Sequence, residues 1–471
     1  MQRRASGLLV SCVALAWAPA AAGTPSAKAL GRALDELLRK TTCQVGVLVA
    51  RADGTRLYGR SAARPLVPAS NMKLLTTAAA LDLLGPDFVH RTRLLRVGED
   101  LVVVGEGDPT LSARFDPDPL LDDAAAAVAA AGLKEVRDLV VDARAFDAAR
   151  LHPDWEPEDA ERWYGAEVSA LNLNDNCVDV TVSGGARAAA VRLRPDTRYV
   201  RVEQRVRILD SPRGHVFSLL RGGPDKRTIL LRGKVYRRAK PYTTSVPVPD
   251  PPRFFAAVLG ERLAAHGVAV RGAVREATAG ERFAGETLWE RRAPLPRTLE
   301  VTNQRSQNLY AECLFKTLGR RDGRGVLVKG GSWSNGARQV RAWALAHGVR
   351  PEELVVRDGS GLARSNRLSP RAVVAVLRAA LAGPHARVYL DSLAEAGASG
   401  TLRRRLRRLP AGVRLRGKTG TLTGVHALSG VLEGRRGARW LFALIANGKG
   451  ASRRLLDRAA RAIAEVYAQA P

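Results

Sequence analysis

Histidine and cysteine are scarce in this chain of 471 residues, which contains seven histidines and four cysteines. The cysteines lack the spacing typical of a zinc site, and no His-Glu-x-x-His motif is present. Because the histidines are scattered, the sequence contains no serine–histidine–aspartate constellation for nucleophilic catalysis. We therefore expect neither a metal ion nor another cofactor.

Long apolar runs are missing after the N-terminus. Residues 2–4 are Gln-Arg-Arg, residues 7–17 are largely apolar and residues 20–22 are three alanines; this pattern is typical of a secretory signal peptide, here 1–22. The run is too short to span a bilayer comfortably. We expect an exported mature chain without a transmembrane segment, periplasmic or extracellular, and soluble or peripherally associated with the membrane. The alternative is a lipoprotein cleavage box ending at Cys12, although much of the apolar run follows it.

Cysteine is also too rare for a disulfide framework. Once the signal peptide is removed, Cys43, Cys177 and Cys313 remain, so at most one disulfide can form within the chain. The sequence leaves open whether any pair forms.

Acidic residues are the rarer charge: 46 Asp and Glu stand against 75 Lys and Arg, for a formal net charge of +29. Such a balance occurs in nucleic-acid-binding proteins. Here arginine is spread along the chain instead of forming one patch, so we expect no nucleic-acid partner. The densest run, residues 403–408, is interpreted as solvated surface rather than a polyanion site.

Against these absences stand three short motifs, each the only match to its pattern in the chain. The first is Ser-Asn-Met-Lys at residues 70–73, and it leads into apolar residues with helical spacing up to residue 81. Ser70 and Lys73 are about one helical turn apart, so their side chains share a face. A serine nucleophile needs a base, and a lysine becomes one only where burial or cationic neighbours lower its pKa. We predict Ser70 as the nucleophile and Lys73 as its base.

The second motif is Ser-Gln-Asn, and it leads into a segment, 309–316, that has the spacing of a helix. The motif is therefore predicted to lie where a helix begins. At such a place Ser306 can relay a proton, and Asn308 can hold a substrate carbonyl or the basic lysine.

The third motif is Lys-Thr-Gly, and the alternation around it predicts a strand. Lys418 is a cationic neighbour for the basic lysine if the fold brings the two together, and Lys418 and Thr419 can face a substrate carboxylate. Gly420 permits a ligand backbone to approach the strand closely. The backbone N–H groups of Ser70 and Thr421 are then natural donors to an oxyanion.

Each motif taken alone has a structural explanation: a capping serine before an ordinary helix, an N-cap, and a solvated lysine on a surface strand. A chance match to one motif is expected in a chain of this length. Three motifs in this order, each in a suitable local context, indicate a serine acyl-transfer enzyme that uses lysine as its base.

In this arrangement the chain resembles the penicillin-recognising serine enzymes. More narrowly it resembles the class C low-molecular-mass penicillin-binding proteins, the D-alanyl-D-alanine carboxypeptidase/endopeptidases of the penicillin-binding protein 4 type. Ser306 lies 236 residues after Ser70 (306 − 70); simple β-lactamases of this fold have far shorter segments there, and the family is similar to this chain in its large insertion. The family's second motif is Ser-Asp-Asn or Ser-x-Asn, so Gln307 fits. Further matching stretches lie at residues 107–111, 169–176, 358–364, 400–403 and 418–422.

The resemblance implies an α/β (α+β) fold. We expect a β-lactamase/transpeptidase-like catalytic domain, an antiparallel sheet with flanking helices, at residues 24–87 and 291–471. One or two β-rich inserted domains are expected at 88–290.

Hydrophobic patterns predict the elements of both parts. In the catalytic part we expect a hairpin at about 43–58, three antiparallel strands between 417 and 446, and a final helix at 452–468. In the insertion we expect a helix at 253–266, a candidate linker at 247–252, and strands at 101–104, 139–141, 178–182, 200–208 and 228–235.

The resemblance also implies the activity: a serine-type D-Ala-D-Ala carboxypeptidase and D,D-endopeptidase that acts on peptidoglycan stem peptides through an acyl-enzyme on Ser70. β-Lactam antibiotics are then covalent inhibitors. Asp142, Phe146 and Arg364 match positions near the pocket for the third residue of the stem peptide. Asp142 is expected to pair with an amine of that residue and Arg364 with a carboxylate. The alternative is that Asp142 only ends a strand and Arg364 is a structural loop residue.

Two other functions are weighed against this one. A β-lactamase or esterase of the same fold is disfavoured by the long insertion. A non-catalytic wall-binding or polyanion-binding protein is disfavoured by the intact Ser70, Lys73 and Lys418. The sequence leaves open the balance of carboxypeptidase and endopeptidase activity, the identity of the third residue, and the oligomeric state.

Overall fold

The structure is a computed structural model, and it describes residues 23–434 and 437–470. Within those residues the helices are α1 (Pro25–Arg39), α2 (Met72–Leu84), α3 (Asp122–Ala130), α4 (Pro251–Ala265), α5 (Leu295–Gln304), α6 (Asn308–Leu318), α7 (Trp333–Ala346), α8 (Pro370–Ala382), α9 (Ala386–Ser392) and α10 (Arg453–Gln469). The strands are β1 (Gln44–Arg51), β2 (Arg56–Arg60), β3 (Val89–Val97), β4 (Asp100–Gly105), β5 (Glu135–Val136), β6 (Leu139–Asp142), β7 (Cys177–Ser183), β8 (Ala190–Arg194), β9 (Arg201–Leu209), β10 (Val216–Gly222), β11 (Thr228–Tyr236), β12 (Tyr242–Pro247), β13 (Ala269–Val270), β14 (Val274–Glu276), β15 (Glu286–Pro294), β16 (Leu354–Val355), β17 (Arg367–Leu368), β18 (Ala394–Glu395), β19 (Arg414–Leu422), β20 (Val425–Glu433) and β21 (Arg439–Asn447).

Packing divides the chain into two compact units. As far as they are described, the first comprises Met1–Asp82, Val340–Val356 and Ser365–Pro471, and the second comprises Leu83–Gln339 and Arg357–Arg364. One division falls near the end of α2 and another within α7. The domain bounds expected from the sequence, 24–87 with 291–471 and 88–290, stay a prediction.

The first unit is built on a six-stranded antiparallel sheet with the order β18-β19-β20-β21-β1-β2. β1 and β2 form the predicted hairpin, and Gly54 in its turn has a φ of 96°, a conformation that suits glycine. β19, β20 and β21 are the three predicted C-terminal strands, and α10 is the predicted final helix. Segments from both ends of the chain therefore build one sheet, as the sequence patterns indicated.

Helices cover both faces of this sheet. On one face, leucines of α1 and α10 pack against β1 and β21, as Leu34 does with Val47 and Phe442. On the other face lies α8: a Cβ atom on Gly46 of β1 would meet Pro370 of α8 at 2.7 Å. Because both faces are covered, the residues of β19, β20 and β21 are buried nearly without alternation.

α2 is the helix that the first motif predicted. Its residues from Met72 to Leu81 are all buried, since apolar side chains surround the helix instead of forming one stripe. The chain then leaves the helix at Gly85, whose φ of 80° suits a glycine after a helix end.

The second unit contains the strand-rich interval. Its sheets include a five-stranded one with the order β14-β6-β4-β3-β15 and two three-stranded ones, β10-β11-β9 and β12-β7-β8. α3 and α4 pack on each other, and residues such as Phe254 share one apolar core with Leu101 and Val141. The predicted strands and the predicted helix are confirmed by β4, β6, β7, β9, β11 and α4. The linker at 247–252 is wrong, because β12 ends at Pro247 and prolines begin α4, where their fixed φ suits the first turn.

Membrane and redox expectations meet limited evidence. No helix in the described ranges has both the length and the apolar character needed to cross a bilayer. The predicted signal peptide, 1–22, and Cys12 within it lie outside the described residues. Cys43, Cys177 and Cys313 are all free thiols in the structure.

Candidate active site

Ser70 lies in a tight backbone turn directly before α2. It is the middle residue of a short 3-10 turn, Ala69–Asn71, and Ala69 has a φ of 46°. A left-handed φ is rare for a residue with a Cβ atom, costs about 1–3 kcal/mol, and is concentrated at functional positions. The buried Asn71 side chain donates a hydrogen bond of 2.6 Å to Ser429 Oγ. That bond ties the turn to β20.

Lys73 lies one helical turn beyond the nucleophile candidate, and it is 0% exposed. Its Nζ is 3.1 Å from Ser70 Oγ, a hydrogen-bond distance that allows proton transfer. The spacing of the motif therefore produces the shared helix face that the sequence predicted.

Lys418 is a second fully buried lysine in the first unit, on β19. Its Nζ donates to the carbonyl oxygen of Thr419 at 2.8 Å, and the Thr419 hydroxyl donates to Thr401 Oγ1 at 2.9 Å. Burial lowers the pKa of Lys418 well below its usual range, and the nearby charge of Lys73 lowers it further. Two ammonium groups are costly to keep charged together in a dry site. The arrangement thus favours a neutral amine on one of the two lysines.

Gly420 allows β19 to pass close to the nucleophile turn. A Cβ atom at this position would lie 2.9 Å from the carbonyl oxygen of Pro68 and 3.1 Å from the backbone nitrogen of Ser70. Any larger residue would therefore push the strand and the turn apart. Thr421 follows in the same strand, so the backbone of β19 runs beside the amide of Ser70.

The second motif lies in the second unit, where α6 begins at Asn308 as predicted. Ser306 has a φ of 60°, a second left-handed residue with a Cβ atom at a motif serine. Gln307 caps the helix: its Oε1 accepts from the Asn308 backbone at 3.0 Å, and its amide group donates to the buried Asp175. The Asn308 side chain donates to the carbonyl oxygen of Tyr164 at 2.8 Å. These bonds fix the start of α6.

Asp142 ends β6 and is only 2% exposed. Its carboxylate accepts hydrogen bonds from Arg144 at 2.7 Å and from Lys329 at 3.0 Å. Burial alone would raise the pKa of Asp142, but the bonds from Arg144 and Lys329 outweigh it and lower the pKa to about 2. The carboxylate is therefore ionised at neutral pH and engaged by two cations of its own chain. Its pairing with a substrate amine stays a prediction.

Phe146 and Arg364 also belong to the second unit. Phe146 is buried and lines a cavity of 320 Å³ together with Arg150 and Glu276. Arg364 is partly exposed, and its Nε is 3.9 Å from the carboxylate of Glu156. Their contacts with substrate stay predictions.

Sequence reasoning missed several residues that shape these sites. Ser429 and Thr401 stand outside any motif, and only strand pairing and loop packing bring them to Asn71 and Thr419. Two fully buried carboxylates, on Glu312 and Asp358, were also missed. Glu312 is a charged residue inside the otherwise apolar start of α6, which was an available signal. No three His, Cys, Asp or Glu side chains in the described part of the chain are arranged to hold a metal ion.

The structure thus brings Ser70, Lys73, Lys418 and Gly420 together within the first unit, while the Ser-Gln-Asn motif belongs to the second. A family model described as the D-Ala-D-Ala carboxypeptidase 3 (S13) family matches residues 30–469. The chain belongs to this family.

Relatives of the S13 chain come from several organisms. A D-alanyl-D-alanine carboxypeptidase of Actinomadura sp. (strain R39) is 35% identical over 431 residues, which cover 85% of this chain and 77% of the relative. D-alanyl-D-alanine carboxypeptidase DacB of Haemophilus influenzae is 25% identical over 394 residues, 81% of each chain. The crystal structure of penicillin-binding protein 4 (dacB) from Haemophilus influenzae matches with a TM-score of 0.76 and 22% identity, and covers 93% of this chain and 98% of that one.

Membership of the S13 family confirms the predicted family and the predicted activity. The protein is a serine-type hydrolase of the D-Ala-D-Ala carboxypeptidase class. The structural match confirms the α/β fold of a penicillin-binding protein 4. The β-lactamase, esterase and non-catalytic alternatives lose their support, and the roles of single residues remain to be proposed.

Proposed function

We propose that this S13 enzyme cleaves the terminal D-Ala-D-Ala bond of peptidoglycan stem peptides, and D-amino-acid cross-bridges, through an acyl-enzyme on Ser70. The observation that supports this proposal most directly is the 3.1 Å between Ser70 Oγ and Lys73 Nζ, in a fully buried setting with Lys418 nearby. A serine placed beside a lysine whose charge is disfavoured has the base it needs.

Acylation begins with Lys73 as a neutral amine. Lys73 takes the proton from Ser70 Oγ while that oxygen attacks the carbonyl carbon of the penultimate D-alanine. Backbone N–H groups of Ser70 and Thr421 donate to the carbonyl oxygen as it becomes negative. The C–N bond then breaks, and the proton on Lys73 passes by way of Ser306 to the nitrogen of the departing D-alanine.

Deacylation reverses these roles with water in place of the amine. Lys73 takes a proton from the water that attacks the Ser70 ester, and returns it to Ser70 Oγ as the C–O bond breaks. Asn308 holds the substrate carbonyl or the Lys73 amine during both halves of the reaction. The product acid leaves with a peptide shorter by one D-alanine.

Substrate orientation is assigned to β19. Lys418 and Thr419 bind the terminal carboxylate of the peptide, and Gly420 leaves room for the peptide backbone to lie along the strand. The close packing of β19 on the nucleophile turn supports this role, because a chain bound to the strand reaches the turn.

Recognition of the third stem-peptide residue is assigned to Asp142, Phe146 and Arg364. The cavity lined by Phe146 supplies a space of 320 Å³. Since Asp142 is engaged by Arg144 and Lys329, we assign it the role of orienting these cations as much as that of contacting an amine.

β-Lactam antibiotics are proposed as covalent inhibitors that acylate Ser70. Penicillin-binding protein 4 from Haemophilus influenzae has been solved in complex with a β-lactam, which supports this class of inhibitor. Export to the periplasm or the cell exterior belongs to the same proposal, because the substrate is located there. N-terminal sequencing of secreted protein should give a start near Gly23, and a lipid on Cys12 would contradict this.

Mass spectrometry of penicillin-treated protein tests the central assignment. A digested sample should carry the adduct on the peptide that contains Ser70, and Ser70→Ala should carry none. The same protein should release free D-alanine from a stem peptide that ends in D-Ala-D-Ala. An adduct on another peptide, or folded protein without an adduct, would overturn the assignment.

A further inference from the structure

A buried carboxylate that the proposed reaction does not use lies on the helix of the second motif. Glu312 follows Asn308 by four residues on α6, and it is 0% exposed. Its two oxygens accept hydrogen bonds from the backbone nitrogen of Gly359 at 3.0 Å, from that of Ser360 at 2.8 Å, and from Trp333 Nε1 at 2.8 Å. Two of these three donors belong to the loop Arg357–Arg364.

The loop is organised around a second buried carboxylate, on Asp358. This group accepts hydrogen bonds from the backbone nitrogens of Gly361 at 2.8 Å and Ala363 at 2.7 Å, and from Trp155 Nε1 at 2.9 Å. Together the two carboxylates account for four backbone N–H groups of one short loop. Such a loop has little freedom to move while both remain in place.

Close packing brings the loop onto the backbone of α6. A Cβ atom on Gly359 would lie 2.6 Å from the carbonyl oxygen of Ala311, the residue before Glu312. The loop ends at Arg364, the residue assigned to the stem peptide. Glu312 therefore connects the helix that begins at Asn308 with the loop that ends at Arg364, all within the second unit.

The charged groups around Glu312 define its electrostatics. Asp358 faces it from the loop, and Cys313 and Lys316 lie beside it on α6; Lys316 is paired with Asp147 at 2.7 Å. His152 faces Asp358 from another segment, and its ring nitrogen lies 3.1 Å from the carbonyl oxygen of Arg357. Burial and the charge of Asp358 raise the pKa of Glu312 to about 7.

We propose that Glu312 is a positioning residue: it holds the loop Arg357–Arg364 on α6, and thereby holds Arg364 in a fixed place relative to Asn308. This inference rests on the proposed function through the roles given to Asn308 and Arg364. Glu312 itself touches neither the nucleophile nor the bond that breaks.

Protonation of Glu312 should couple the loop to pH. In the closed loop the group has a pKa of about 7, whereas in an open, solvated loop it returns to about 4.3. The closed loop therefore binds more protons between these values, so closing is strongest below the lower pKa and weakens as pH rises to the upper one.

Hydrogen exchange measured by mass spectrometry tests the proposal without using activity. In the wild type, exchange of the 357–364 amides, corrected for intrinsic rates, should quicken as pH rises from about 4.5 to about 7. Glu312→Gln offers one acceptor oxygen to three donors. It should therefore quicken exchange by about 10- to 100-fold and abolish the pH dependence. Glu286→Gln, at an exposed position on β15, is the matched control and should change neither.

Kinetics on a D-Ala-D-Ala stem peptide give the readout that a purely structural role would not move. Glu312→Gln should raise KM by about tenfold, while the rate of Ser70 acylation by penicillin stays within about threefold of the wild type. Trp333→Phe removes one N–H donor and keeps the carboxylate, so it should show a smaller effect and retain the pH dependence. It also serves as the test variant if Glu312→Gln fails to fold.

The outcomes separate this inference from the proposed function. Unchanged loop exchange in Glu312→Gln would show that Glu312 does not hold the loop. Quickened exchange with unchanged KM would overturn the positioning role. If the wild type fails to form a Ser70 adduct, the proposed function fails, while the exchange result still decides whether Glu312 holds the loop.

Discussion

The two compact units bury charges of opposite sign at their motifs. In the first unit Lys73 and Lys418 are fully buried near the nucleophile, and burial lowers the pKa of Lys418. In the second unit Glu312 and Asp358 are fully buried beside α6, and burial raises the pKa of Glu312 to about 7. In both units dry surroundings favour the neutral form of the group. For lysine the neutral form is a base for chemistry, whereas the buried carboxyl groups organise a loop.

Backbone strain occurs at the motif of each unit. Ala69, directly before Ser70, has a φ of 46°, and Ser306 has a φ of 60°. Neither residue is glycine, so the surrounding packing must hold both against a local cost of about 1–3 kcal/mol. The comparison teaches that the two units place their motif serines in a similar way and differ in the charge that they bury around them.

The largest effect should follow from removing the base of the first unit. Lys73→Ala should slow acylation of Ser70 by penicillin by about 10²–10⁴-fold, the usual contribution of a positioned base. Lys73→Arg should do little better, because arginine cannot lose its proton. Stopped-flow measurement with a fluorescent penicillin is the test. Lys40→Ala, on an exposed lysine at the end of α1, is the control, and near-normal acylation by Lys73→Ala would identify another base.

A smaller effect should come from separating β19 from the nucleophile turn. Gly420→Ala places a Cβ atom 2.9 Å from the carbonyl oxygen of Pro68, and such overpacking costs about 1–3 kcal/mol. We expect acylation to slow by about 10- to 100-fold, since each 1.4 kcal/mol is a factor of ten. Gly31→Ala, in α1 with nothing within 4 Å of the added atom, should leave the rate unchanged. Equal rates for the two variants would remove the reason given for glycine at 420.

In the second unit, loss of the Asp142 charge should affect peptide substrates alone. Asp142→Ala removes the partner of Arg144 and Lys329. It should lower kcat/KM on native stem peptides by about 10- to 100-fold, because charge-assisted bonds contribute about 1.5–3 kcal/mol. Acylation by penicillin, which lacks the third residue, should hardly change. Asp225→Ala, at an exposed ion pair with Arg201, is the control, and equal losses on both substrates would indicate a folding defect.

The smallest effect concerns stability, and it should mirror the behaviour of Glu312. Burial and the charge of Lys73 lower the pKa of Lys418 in the folded chain, while the unfolded chain keeps the usual value of about 10.4. Between those two values the unfolded chain binds more protons, so the free energy of unfolding rises with pH. Lys418→Met should remove that slope and raise the free energy of unfolding near neutral pH by about 1–3 kcal/mol.

Thermal melts over a range of pH measure this difference, and acylation should be lost in the same variant. Lys40→Met should leave the slope in place, because that lysine is exposed. A wild-type slope of the opposite sign would show that Lys418 keeps its proton in the folded protein.

Local sequence patterns predicted much of the fold. The β1–β2 hairpin, the three strands β19 to β21 and α10 all follow from alternation or helical spacing, because their apolar residues had to face a core. The segment 247–252 was misjudged, because prolines that suggest a linker also suit the first turn of a helix, and only the following residues distinguish the two.

By itself the sequence determined the order of the three motifs, the helix face shared by Ser70 and Lys73, and the likeness to a penicillin-recognising family. These properties depend on residues a few positions apart. The tertiary structure alone decided that Lys418 lies near Lys73, that Gly420 allows β19 to touch the nucleophile turn, and that Glu312 meets a loop 47 residues away. Such contacts join distant segments, and they depend on burial and strand pairing, which no local pattern records.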